Sequence, residues 1–199
     1  MLLWSICFIS YSQSSVGVKT DLNFSTFIIS RSANIKCSMK AGGSLGFFYK
    51  HNYKWSENVA TQIDMMFRYR TTKLENQNTG ETGTFNYFGI DLPVYFIQQG
   101  ELDNGSFFAG AGPFASFGLS NRYNSTHRRV DLYKNDQTDD NTIMKRWDFG
   151  VGIIIGYEMI SGLQFNFSYQ MGFRNLMSNG FENINMNSQL VGFGVGYRF

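Results

Sequence analysis

Charge is scarce in this chain. Asp, Glu, Lys and Arg make up 16% of its 199 residues, against about 25% in an ordinary soluble domain. The 17 basic and 15 acidic residues nearly cancel, leaving a formal net charge of +2 with no basic block. Nothing therefore marks a nucleic-acid partner. Cysteine is also scarce. Cys7 and Cys37 are the only two, which excludes a disulfide-stapled mini-domain. No run of about 18 apolar residues exists, so a spanning helix is excluded. What the chain does have is aromatic residues, at 17%, and 21 glycines. With so much strand-forming material a disordered chain is excluded as well. The length suits one domain or one barrel, and the composition points to an all-β protein.

Residues 1–12, MLLWSICFISYS, combine an apolar middle with small residues at the end and carry no charge. They read as a secretory signal peptide, with cleavage before Gln13. The basic start of such peptides is missing, so the true start is expected upstream. Cys7 would leave with the peptide and Cys37 would remain as a lone thiol. Residues 13–199 form the mature domain in this reading.

Period-two alternation marks eight strands, at about 16–28, 41–52, 59–70, 84–98, 106–119, 147–157, 162–173 and 189–199. The connections 29–40, 71–83, 120–146 and 174–188 are long and polar, whereas 53–58, 99–105 and 158–161 are short. This alternation of long and short links fits an up-and-down meander with one plain and one elaborated end, as in transmembrane barrels. The faces are sharp in several strands. Leu163, Phe165, Phe167, Tyr169, Met171 and Phe173 oppose Gln164, Asn166, Ser168, Gln170, Gly172 and Arg174. The fifth strand carries aromatics on both faces and cannot be oriented from its pattern.

Alternation alone does not say which face is outside. A soluble lipid- or ligand-binding barrel would turn its apolar face inward, and a membrane barrel would turn it outward. Three features favour the membrane. The polar face is also the glycine face, with Gly150, Gly152, Gly192, Gly194 and Gly196 among its members. A water-facing strand built that way would be weak. The apolar faces run nearly unbroken over the 9–11 or so residues a tilted membrane strand needs. Aromatics gather near strand ends: Tyr49, Trp55, Tyr69, Trp147, Tyr157, Tyr169, Tyr197 and Phe199.

The stretches VGVKTDLNFS (16–25), FGIDLPVYFI (88–97), FFAGAGPFASFG (107–118), WDFGVGIIIGYEM (147–159) and LVGFGVGYRF (190–199) resemble the PorT-like outer-membrane β-barrel family of Bacteroidetes. The resemblance runs along the whole mature chain in order. It implies an integral barrel in a Gram-negative outer membrane with both termini in the periplasm. It implies no single activity, although the family's founding member assists a protein-secretion system. The expected fold is all-β: an eight-stranded antiparallel up-and-down transmembrane barrel of OmpA or OmpX size.

Candidate functional residues fall into two sets. Lys19, Asp21, Lys50, Asp64, Arg68, Asp91, Asp148, Arg174 and Arg198 would face a narrow lumen as a network of paired charges, because an unpaired buried ion is costly. Eight strands leave room for side chains and little else, so a plugged interior is favoured over a small gated pore or a secretion accessory. The loop SNRYNSTHRRVDLYKNDQTDDNTIMKR (120–146) is the expected recognition surface. It is basic first, at Arg122, His127, Arg128 and Arg129, and acidic later, at Asp136, Asp139 and Asp140. Exposed loops on a rigid scaffold tend to carry recognition, here of a protein, a glycan or lipopolysaccharide phosphates. Ser125, Thr126, His127 and Asp131 hold the ingredients of an acyl-transfer site, but closeness in a polar loop is weak evidence. No catalytic, cofactor-binding or metal-binding residue is expected. The reading is a non-enzymatic outer-membrane protein, probing outward through its loops, in contact with membrane lipid and favoured as a monomer.

Overall fold

A computed structural model of the protein describes residues 14–30, 35–53, 56, 58–77, 80–125, 129–133, 144–177 and 185–199. Its strands are β1 (Ser14–Ser30), β2 (Ile35–Asn52), β3 (Val59–Asn76), β4 (Thr82–Leu102), β5 (Gly105–Ser125), β6 (Arg129–Asp131), β7 (Trp147–Met159), β8 (Leu163–Gly172) and β9 (Asn185–Arg198). All pair antiparallel in one sheet. The order is β4-β3-β2-β1-β9-β8-β7-β5-β6, and β4 also pairs with β5, so the eight long strands close into a ring. A closed ring is the only sheet that hydrocarbon tolerates, since it leaves no unpaired backbone edge.

The wall faces lipid. Ile153, Phe165 and Phe193 are 49%, 43% and 53% exposed, whereas Arg68 and Asp148 are buried within the ring. The apolar face therefore looks outward, opposite to a soluble ligand-binding barrel. Exposed aromatics mark two levels. Tyr49, Phe107, Tyr197 and Phe199 lie at the end bearing the termini and short turns, and Tyr69, Trp147 and Phe173 lie toward the loop end. Trp55 lies outside the described residues. At the β7–β8 turn Gly162 takes φ 89°, a left-handed backbone that suits glycine. An added Cβ there would come within 2.5 Å of the Arg198 carbonyl.

Strand β5 acquires its orientation from its neighbour. Phe108 and Phe114 turn inward and Phe107 turns to lipid. Across the ladder, a Cβ on Gly156 would lie 2.4 Å from the Phe108 ring, and one on Gly150 would lie 2.6 Å from Phe114. The glycine face of β7 is the space that β5's inward rings fill.

Parts of the expected long loops prove to be strand. β2 already starts at Ile35, β3 runs on to Asn76, β4 begins at Thr82, β5 reaches Ser125 and β9 starts at Asn185. Register shifts between Met39 and Gly43 and between Phe88 and Gly89 mark where the wall bends. Beyond that level the outer surface meets water. Its polar residues mask the alternation although the ladder continues.

Strands β7 and β8 stop lower, so irregular segments complete the ring above them. Backbone bonds run from Leu132 N to Asn121 O (2.9 Å), from Met144 N to Leu132 O (3.2 Å), from Lys145 N to Leu176 O (2.8 Å) and from Leu176 N to Met186 O (3.0 Å). A bridge between Met144 and Met177 joins them. Among the described residues, backbone bonding thus passes from β5 to β9.

Candidate functional site: the lumen and its loop-end cap

Alternation aims one side chain in two at the axis, and there paired charges stand beside a buried apolar cluster of Ala60, Tyr95, Ile97, Phe108 and Ile154. Lys19 Nζ meets Asp64 Oδ2 at 2.9 Å, and Gln62 donates to the other Asp64 oxygen at 2.7 Å. Arg68 bridges Asp91 at 3.0 Å and Asp21 at 3.4 Å, and donates to Gln170 at 3.0 Å. Gln170 in turn donates to Tyr95. Arg70 also pairs with Asp91 and lies over the Tyr87 ring, 5.0 Å from its centroid. Nearer the turn end, Glu158 accepts from Lys50 at 3.1 Å and from Arg198 at 2.7 Å. Ser188 donates to Asp148.

Five inward cations, Lys19, Lys50, Arg68, Arg70 and Arg198, thus meet four carboxylates, Asp21, Asp64, Asp91 and Glu158, while a fifth, Asp148, is held by Ser188. Charges so far from water need this balance, because removing one partner strands the other. Glycines give them space. A Cβ on Gly194 would fall 2.3 Å from Asp21 Oδ1, and one on Gly172 would fall 2.6 Å from Asp148 Oδ1. Arg68, Tyr95, Gln62, Gln164 and Gln170 are all buried in the interior.

The structure brings Lys19, Asp21, Asp64, Arg68 and Asp91 into one connected interior and places Lys50 with Glu158 below them. Asp148 is buried near the top and Arg198 is half-exposed at the turn-end mouth. Arg174 does not join them, which corrects its assignment to the lumen. Strand β8 ends at Gly172, so alternation no longer governs residue 174, and its guanidinium lies 5.9 Å from the centroid of the outward-facing Phe149. Arg70 and Glu158 were missing from the expected set. Both carried a signal: Arg70 shares the face of Arg68, and Glu158 lies one step beyond the marked end of its strand on the face of Asp148.

Among the loop candidates, Arg122 is exposed on β5 opposite Asp131 of β6, and Arg129 sits in β6 opposite Asn124. His127, Arg128, Asp136, Asp139 and Asp140 lie outside the described residues, as do residues 1–12. At the opposite end, Tyr49 donates to Ser14, whose hydroxyl lies 2.7 Å from Nδ1 of His51.

Above the charges the interior changes character. Phe85, Leu132, Tyr133, Met144, Leu176 and Met186 form a buried apolar cluster inside the loop end, with Phe27, Leu74 and Tyr123 packed against it. Burial pushes the Tyr133 hydroxyl up to about 12, because the cap disfavours a phenolate. A cavity of about 30 Å³ lies where cap and charges meet, with Arg70, Asn121, Asp148 and Ser188 in its wall. Among the described residues the lumen thus holds interlocked ions below and an apolar cap above.

A family model described as outer membrane protein beta-barrel domain matches residues 11–178. No curated protein matches the chain. Solved structures with a similar course include Ail of Yersinia pestis, at 11% identity and TM-score 0.45, covering 94% of this chain and 99% of that one. Neisserial surface protein A is similar at 14% identity and TM-score 0.45, with 94% and 99% covered. The N-terminal β-barrel domain of Pseudomonas aeruginosa OprF is similar at 11% identity and TM-score 0.41, with 94% and 98% covered.

Proposed function

The chain belongs to the outer membrane protein beta-barrel domain family, and from that premise we propose that it is a closed, non-enzymatic barrel of the bacterial outer membrane that acts through what its loop end presents outside the cell. The interior is the observation that carries this reading. Every charge along the lumen from Lys19 to Glu158 is engaged by a neighbour, and an apolar cluster lies over them. A conducting path would have to part several buried ion pairs at a cost on the order of several kcal/mol each. The surface this reading relies on is the loop end, where Arg122 is exposed, together with the mixed-charge sequence of the connection 120–146. A protein, glycan or lipopolysaccharide ligand suits that mixed-charge surface.

Planar bilayers test the closed state. The purified full chain is expected to give a flat trace at 1 M salt, and steady conductance steps would replace this reading with a pore. Replacing His127 and assaying phospholipids for acyl change tests the enzymatic rival, for which an unchanged product pattern is expected.

Residues 1–12 act as a cleaved leader in this reading, supported by their apolar, uncharged composition. N-terminal sequencing of the mature protein should begin near Gln13. The stretches at 16–25 and 190–199 support a place among PorT-like barrels of Bacteroidetes.

A further inference from the structure

The lumen is divided lengthwise as well as from end to end. On one side, β4, β5 and β7 turn Tyr95, Ile97, Phe108 and Ile154 inward as part of an apolar cluster. On the other, β9 presents Gly192, Gly194 and Gly196 to the axis. They are flanked by Lys19, Asp21 and Asn23 of β1 and by Gln164, Asn166 and Ser168 of β8. These flanking side chains are all buried.

Several of them lack what burial demands. Asn166 is 7% exposed and Asp21 4%. Yet Asp21 Oδ1 and Asn23 Oδ1 on β1, and Gln164 Oε1 and both amide atoms of Asn166 on β8, have no hydrogen-bond partner among the described residues. An orphaned polar group at this depth lowers stability unless something bonds to it. Four of the five atoms are acceptors, so a donor is what they call for.

The glycines show where it would sit. A Cβ on Gly194 would fall against Asp21 Oδ1, 2.7 Å from Asn166 Oδ1 and 2.9 Å from Asn166 Nδ2. Three orphaned atoms thus converge on one point, and glycine leaves that point free of side chain. On either side, Ser168 Oγ lies 2.7 Å from the Cβ position of Gly192, and Gln164 Oε1 lies 3.5 Å from that of Gly196. A single water can span the two side chains at Gly194, donating to the carboxylate while it accepts from the amide. A cation suits the point less, because Arg68 Nη2 already stands 3.4 Å from the same carboxylate.

We propose that bound water threads the β8–β9–β1 side of the lumen, with one water held over Gly194 between Asp21 Oδ1 and the Asn166 amide. The inference goes beyond the closed-barrel reading, because it concerns what fills the interior and not what the loop end recognises. The water has a positioning task. Arg68 and Ser44 donate to Asp21 through Oδ2. The water holds the same carboxylate through Oδ1 and ties β1 to β8 across β9. Toward the loop end lies the cavity of about 30 Å³ under the cap, with Asn121 and Asp148 in its wall. Asn121 Oδ1 and Asp148 Oδ1 also lack partners among the described residues, and that volume admits about one or two waters.

Nuclear magnetic resonance on the full folded chain in micelles tests the bridge. Cross-peaks between water and the Asn166 side-chain amide should have opposite signs in the laboratory and rotating frames, the mark of a held water. Cross-peaks of equal sign, or none, overturn the proposal. Substitution gives a second reading. Asn166→Leu removes the amide and displaces the water, leaving Asp21 Oδ1 bare. The urea midpoint should then fall, and the unfolded-to-folded ratio should rise at least about fivefold. Were Asn166 dry, leucine would relieve an unmet amide, so a raised midpoint overturns the proposal. Asn166→Ser keeps a hydroxyl and admits a further water, and should lose less than Asn166→Leu. The reverse order counts against the water. A midpoint of the unaltered protein that rises with sodium at constant ionic strength assigns a cation to the point and overturns the proposal. Heat-modifiable migration reports whether each variant has folded. Should Asn166→Leu not fold, the cross-peaks on the unaltered protein decide alone. Conductance in planar bilayers would end the closed-barrel reading without changing the sign of those cross-peaks.

Discussion

The two halves of the interior obey opposite rules on one continuous set of strands. Along β3, the inward residues run Gln62, Asp64, Met66, Arg68, Arg70 and Thr72, and end beside the cap at Leu74. Along β1, Lys19, Asp21, Asn23 and Ser25 give way to Phe27 and Ile29. At membrane level the wall is apolar outside, and inside it holds paired charges beside the small apolar cluster of Tyr95, Ile97, Phe108 and Ile154. At the loop end it is polar outside and apolar inside, as in a soluble domain. The solvent beyond the wall changes from lipid to water, and the inner face changes with it. Facing lipid, outward apolar residues are required and the inside can hold ions, provided they pair. Facing water, the ladder needs a hydrophobic interior to drive its packing, and Leu132, Met144 and Leu176 provide one from the connections.

Breaking the ionic half should cost most. Arg68→Leu leaves Asp21 without its cation and Asp91 with only Arg70, and should lower stability by about 3–5 kcal/mol. A fall in the urea midpoint of the whole barrel in micelles would report it. The apolar half should answer differently. Leu132→Ala removes a buried side chain from the cap at a cost of about 2–5 kcal/mol. Limited proteolysis should then cut near the loop end while heat-modifiable migration persists. A loss of both together would show that the halves fold as one unit. A smaller effect should come from Gly194→Ala, whose Cβ would press on Asp21. A cost of about 1–3 kcal/mol is expected for crowding of this kind, again read in the global midpoint.

The smallest effect separates the halves by pH. The Tyr133 hydroxyl is raised from its ordinary value near 10 to about 12 by burial in the cap. The folded state therefore keeps this proton where the unfolded chain has lost it. The associated stability is complete below pH 10 and fades as pH rises from 10 through 12. Ultraviolet titration of phenolate should show Tyr133→Phe removing a late-titrating tyrosine. The loop end should become protease-sensitive in that window before the barrel unfolds.

Much of the membrane-level half was legible in the sequence, because lipid enforces a strict two-residue period. Phe165 and Phe193 fall on the outer face and Asp64 and Arg68 on the inner face, as the alternation requires. The loop-end half was not legible, for the same reason inverted. Once water lies outside, polar residues such as Thr71 and Asn86 no longer read as a barrel face, and the ladder there looks like loop in the sequence. The β5 rings were undecidable from their own strand, since the space they fill belongs to glycines of β7. Arg174 went astray because a period was extended past the residue where its strand ends.

The four backbone hydrogen bonds through Leu132, Met144, Leu176 and Met186 have a consequence for how the protein can change. They join the rim chiefly through the main chain, with Asn175 Oδ1 accepting from Met177 N and Met186 N and Arg146 donating to the Tyr133 carbonyl. Substitutions at the other outward positions there leave those backbone bonds in place. The rim is thereby a place where a bacterium can revise what it displays to antibodies or phages while keeping the same anchor.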